Sequence, residues 1–139
     1  MKTNLPVTQN EVPFPKGRYV VSRTDLKGII TYANDTFVDL SGFALDELIG
    51  KNHNLVRHPD MPEQAFADLW TTLQAGRPWT GLVKNRRKNG DHYWVLAHVT
   101  ATRDDAGAIT GYHSNRRVPD PAAVAAVESG EEAINHRTL

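Results

Sequence analysis

Three side chains able to bind or transfer charge stand almost together in "NLVRHPDMP", residues 54–62: Arg57, His58 and Asp60. A guanidinium recognises phosphate or carboxylate through a planar fork. An imidazole can stack, hydrogen-bond or titrate near neutral pH. A carboxylate can orient either group, or cap a helix. One reading is therefore a surface turn whose Asp60 only caps the next helix. The other is a clasp for an anionic ligand. A second set lies in "PWTGLVKNRRKNGDHYW", residues 78–94. There Trp79 and Asn85 have the parity of one strand face. Asn85 offers both a donor and an acceptor.

These groups need elements to hold them. "YVVSRTD" and "IITYA" are β-rich around a turn and predict a hairpin over 19–33. Asn34 is a good N-cap for a short helix that ends at Gly42. "ALDELIG", residues 44–50, predicts a second short helix. Asp60 and Glu63 form a capping-box pattern with Pro62 in the first turn. Phe66, Leu69, Trp70 and Leu73 then recur at helical spacing, so a helix over 62–75 has one apolar face. Two strand-like runs meet at Asn89-Gly90, a hairpin turn signal, and "ITGYHSNRRV" is a last strand. After Pro119 and Pro121, "AAVAAVESGEEAI" predicts a helix.

Two strands, several short helices and three strands in a meander predict an α+β domain: an antiparallel sheet with helices packed on one face. The expected divisions are an N-terminal arm over 1–18, a folded domain over 19–119 and a helical C-terminal linker over 120–139. Strand alternation turns Trp79, Gly81, Val83 and Asn85 inward, with Val95, Ala97 and Val99 on the facing strand. The same alternation sends Lys84, Arg86 and Lys88 to solvent and Trp94 away from the core face.

Composition removes several function classes. Sixteen basic residues balance sixteen acidic ones in 139, which argues against duplex DNA as a partner. There is no cysteine, so disulfides, thiolate metal sites and cysteine nucleophiles are excluded. No apolar run approaches the ~20 residues of a membrane-spanning helix. A membrane link would have to come through regions outside this chain. No nucleophile elbow, phosphate-binding glycine loop or zinc helix motif appears, so an enzyme is not expected.

Residues 19–118 resemble a PAS domain in the order of their elements. "TYANDTF" (31–37), "HNLVRHPDMPEQAFADLW" (53–70) and "PWTGLVKNRRKNGDHYWV" (78–95) resemble, more narrowly, the sensory PAS domain of bacterial aerotaxis receptors. That resemblance implies noncovalent FAD between sheet and helices. It also implies transmission of redox state to a chemotaxis signalling region or a second PAS protomer, in a cytoplasmic domain of a membrane-anchored receptor. Under it, Arg57 would pair with the pyrophosphate and His58 would lie near ribose or adenine, with Asp60 orienting either. Asn85 would meet the pyrimidine edge, and Trp79 would stack on a ring. Phe66 and Trp70 would wall the pocket, and Asn34 would contact the cofactor beside it. Flavin-binding relatives of the light-oxygen-voltage type also carry asparagine at the hairpin position of Asn85. They carry a second asparagine where this chain has Val95, and a reactive cysteine that this chain lacks. Two alternatives stay open: a haem-binding PAS oxygen sensor with His53 as iron ligand, and a cofactor-free dimerisation module.

Overall fold

The computed structural model describes residues 5–129. Five antiparallel strands form one sheet in the order β2-β1-β5-β4-β3. They are β1 (Val20–Asp25), β2 (Ile30–Ala33), β3 (Trp79–Arg86), β4 (His92–Arg103) and β5 (Ile109–Arg117). Between β2 and β3 come α1 (Asp35–Ser41), α2 (Leu45–Leu48), a 3₁₀ turn (His53–Val56) and α3 (Glu63–Gln74). Phe37, Leu40, Leu48, Val56 and Leu73 from this layer pack on Val83, Val95, Ala97 and Val99 of the sheet. The expected α+β architecture is therefore present, with the main core between helices and sheet.

Asn34 shows how local chemistry joins two elements. Its Oδ1 accepts from the Phe37 N–H, capping α1, and from the Val21 N–H of β1, both at 3.1 Å. Its amide donates to the Tyr19 carbonyl at 2.9 Å. Gly42 then ends α1 at φ 75°, a left-handed conformation that costs glycine little.

Three expectations change. Asp60 does not cap α3: Pro62 occupies the cap position with no side-chain hydrogen bond, and the helix starts at Glu63. The helices of the folded domain share one face as expected, but the C-terminal helix takes the other. α4 (Pro121–Glu128) packs Val124 and Val127 against Leu82 and Trp94 on the opposite, outer face. The rest of the expected C-terminal helix lies outside the described residues. Lys84 and Arg86 are not solvent-facing either: both are buried, and Lys88 alone of the three is exposed.

The third change has a clear cause. Strand parity sends Lys84 and Arg86 to the outer face as expected, but that face is covered. The arm runs along the β3–β4 hairpin, with Thr8 N–H donating to Gly90, His92 N–H to Asn10 and Val12 N–H to His92. Arg86 Nη1 donates to the Pro6 carbonyl at 3.3 Å. Lys84 Nζ pairs with Asp60 Oδ2 at 2.8 Å and lies 5.7 Å from the Trp94 ring.

Candidate functional site

A cavity of about 480 Å³ opens between α3 and the inner sheet face, within the usual range for small-molecule pockets. Trp79, Val83, Ala97 and Val99 form the sheet wall, and Phe66, Leu69, Trp70 and Leu73 the helix wall. Trp70 meets Tyr112 of β5 edge to face at 5.2 Å. The Trp79 ring crosses its own strand above Gly81, where any added Cβ would collide with it. Trp79 Nε1 donates to Asp68 Oδ2 at 3.0 Å, which ties the ring to α3. A small residue two positions along and a carboxylate on the helix together hold the indole as a flat wall.

The polar end of the cavity is positively charged. Arg116 on β5 is only 3% exposed. Its Nη2 donates to Ser22 Oγ at 2.7 Å, its Nη1 meets His53 Nε2 at 2.9 Å, and its guanidinium carbon lies 4.7 Å from the Phe37 ring centre. Among the described residues no carboxylate pairs with it. Burial pulls its pKa down to about 10, and Tyr93 acts the other way. Arg116 Nε and the cavity-lining Ser114 Oγ are buried without a hydrogen-bond partner. Native proteins rarely leave such atoms unsatisfied. A ligand acceptor at this end would satisfy them.

Because a guanidinium only donates, His53 Nε2 must accept, which places the imidazole proton on Nδ1. Burial, and then the Arg116 charge, push the His53 pKa down to about 3. Asn85 of β3 lines the same cavity and is buried. Its register partner on β4 is Tyr93, whose hydroxyl burial pushes up to about 12 while Arg116 and the Asn85 amide pull the other way.

A family model described as the PAS fold matches residues 30–115. The chain belongs to the PAS family. As a PAS domain it is 52% identical, over 136 residues, to the aerotaxis receptor of Escherichia coli strain K12. That alignment covers 97% of this chain and 26% of the receptor. The nitrogen fixation regulatory protein of Klebsiella pneumoniae is 30% identical over 97 residues, 70% of this chain and 20% of that protein. The PAS domain thus spans about a quarter or less of these relatives' length. A light-oxygen-voltage domain solved in a flavin-analogue study superposes with a TM-score of 0.68 at 26% identity, covering 81% of this chain and 84% of that one. The aerotaxis-receptor likeness read from the motifs is therefore present along nearly the whole chain.

The PAS domain divides the expected site residues into two groups. Arg57, Phe66, Trp70, Trp79 and Asn85 all line the cavity. His58, Asp60 and Asn34 do not. Arg57 forms a β-bridge with Asn85 on the edge strand, so the segment from 57 alternates like a short strand. Arg57 turns inward, its guanidinium carbon 3.6 Å from the Phe66 ring centre. His58 turns outward and meets the His92 ring at 5.9 Å. Asp60 follows to the outer face. It pairs with Lys84, with His58 Nδ1 3.7 Å away, rather than orienting Arg57. Asn34 is engaged in its three backbone bonds.

Sequence reading missed Arg116, Ser114 and Tyr112. They share one strand parity, and register sets them opposite Ala97, Val99 and Ala101. Alternation alone does not mark this face as inward, because two of its three residues are polar. Pairing them with the apolar β4 face was the available clue.

Two predictions arise here. Asp60→Asn should weaken the Lys84 pair, half in solvent, at a cost of about 1 kcal/mol or less. Ligand binding in the cavity should not change. Equal loss of binding, measured by titration, would return Asp60 to the cavity.

The second concerns acid. His53 is held neutral as described, and burial followed by the Lys84 charge pushes His58 down to about 4, with Asp60 opposing. In the unfolded chain both take a proton near about pH 6.5. Folding therefore resists protons that the unfolded state accepts. Their contribution is complete above about pH 6.5 and declines as pH falls toward the folded values, by up to about 1.4 kcal/mol per pH unit for each histidine. Urea midpoints should drop between about pH 6.5 and 4.5, and His58→Gln should flatten the profile. A level profile in the wild-type chain would contradict the neutral, buried assignment.

Proposed function

We propose that this domain binds FAD noncovalently in the cavity and reports redox state to an attached taxis signalling region. The observation that carries this is the lining itself. It combines flat aromatic and aliphatic walls with Asn85, Arg57, Lys27 and Arg116, and holds no Asp or Glu among the described residues. Such a cavity favours a flat, partly apolar ligand bearing negative charge.

The residues fit a flavin. Trp79, Val83 and Ala97 would support one ring face, and Phe66 and Leu69 would close the other. The Asn85 amide matches the alternating acceptors and donor of the pyrimidine edge. Arg116 Nε and Ser114 Oγ would find acceptors there. Bound flavin would supply reversible electron uptake, and Arg116 would stabilise the negative charge that reduction adds. Asn85 and Arg116 lie on β3 and β5, so a change of charge would reach the sheet first. The sheet's outer face would pass it to the receptor's own signalling region or to a second protomer, as a shift between two populations. Any membrane anchor would belong to regions outside this chain. The haem alternative asks His53 Nε2 to bind iron, but that nitrogen accepts from Arg116 and the neighbouring charge opposes a cation.

The visible spectrum of purified protein tests this reading. A flavin spectrum is expected, with heat-released cofactor running as FAD. A haem Soret band, or FMN alone, would overturn it. Asn85→Ala should leave a buried ligand edge unpaired and weaken FAD by about 1–3 kcal/mol, roughly five- to 150-fold. Unchanged affinity and potential would make Asn85 structural only.

A further inference from the structure

The expected phosphate clasp loses His58 and Asp60, which face away from the cavity. A different cation stands at its mouth. Lys27 lines the cavity from the turn between β1 and β2 and is exposed. The turn is firmly shaped. Asp25 Oδ1 accepts from the Lys27 N–H at 2.8 Å and the Ile29 N–H at 3.0 Å. Gly28 supplies φ 83°. Asn52 Nδ2 donates to the Lys27 carbonyl at 3.3 Å, and Ile29 bridges Asn52. The Lys27 backbone is thus pinned from both sides. Its ammonium forms no ion pair with a carboxylate among the described residues.

The cavity therefore carries cations at two depths. Arg116 is deep and bonded to Ser22 and His53, beside the apolar walls. Lys27 is at the rim, where the solvated part of a long ligand must leave. We propose that Lys27 contacts the diphosphate of the bound dinucleotide, complementing Arg57, and sets the preference for FAD over riboflavin. This rests on the flavin reading above. A ring held in the apolar depth sends its phosphates outward, and a lysine whose backbone is fixed at the exit, with no carboxylate partner among the described residues, presents its ammonium to them.

The test is titration of FAD and riboflavin into apoprotein at low salt, with wild-type, Lys27→Ala and Lys27→Glu chains. FAD affinity should fall about three- to fivefold with alanine and about tenfold with glutamate, as for a partly screened ion pair. Riboflavin affinity should stay the same in all three, and added salt should erode the wild-type preference for FAD. If wild-type protein binds FAD and the variants keep its FAD-to-riboflavin ratio, the Lys27 assignment falls while the flavin reading stands. Equal weakening of both ligands would also overturn it, marking a structural role for the turn. Wild-type protein that binds neither ligand would overturn the flavin reading, and this proposal with it.

Discussion

Arg116→Met is expected to make the bound flavin markedly harder to reduce while leaving the apoprotein folded. Arg116 is a buried cation without a carboxylate partner among the described residues, so its desolvation is opposed by hydrogen bonds to Ser22 and His53 and by the Phe37 ring rather than by an ion pair. Replacing such a charge by an apolar side chain of similar length is often neutral or stabilising. Ser22 Oγ stays 3.1 Å from His53 Nε2 and can donate to it once the guanidinium is gone. The ligand sees a different balance. A charge-assisted hydrogen bond is worth about 1.5–3 kcal/mol, equivalent to about 65–130 mV for one electron. The midpoint potential should move negative by that amount. Spectroelectrochemistry and urea denaturation of the apoprotein measure the two effects separately. An unchanged potential, or a collapse of the apoprotein, would assign Arg116 to the fold alone.

Trp79→Ala should cost both stability and ligand. Trp79 is 2% exposed, belongs to the main core and walls the cavity, so a single ring serves both core packing and the ligand wall. Truncating a buried tryptophan costs about 3–5 kcal/mol. FAD affinity should fall further than any shift in folded population explains. Trp79→Phe should keep much of the wall but lose the bond to Asp68, giving intermediate values of both. Gly81 beneath the ring adds a check: Gly81→Ala must displace the indole without removing it. Stability loss in Trp79→Ala with normal FAD affinity in the remaining folded protein would leave only the core role.

Local chemistry explains what was legible in the sequence. The first hairpin, the Asn34 cap, the Gly42 stop, the long amphipathic helix and the Asn89-Gly90 turn each depend on neighbours within a few residues. Period-2 alternation also placed Trp79, Val83, Asn85 and Ala97 on one face, because successive strand side chains point to opposite sides. The PAS resemblance rested on longer motifs, and the fold matches it.

What tertiary structure decided was which partner each polar residue met. Sequence can place Arg57, His58 and Asp60 within four positions of each other. Only pairing of Arg57 with Asn85 on the edge strand turns Arg57 into the cavity and sends His58 out. Lys84 and Arg86 followed the expected parity, yet Asp60 and the arm cover the face they occupy. Arg116 is distant in sequence from Ser22 and His53, and long-range register brings the three together. Alternation is a property of the chain. Burial and charge pairing depend on which other segment lies across it, and that is set by sheet order and by what packs on each face.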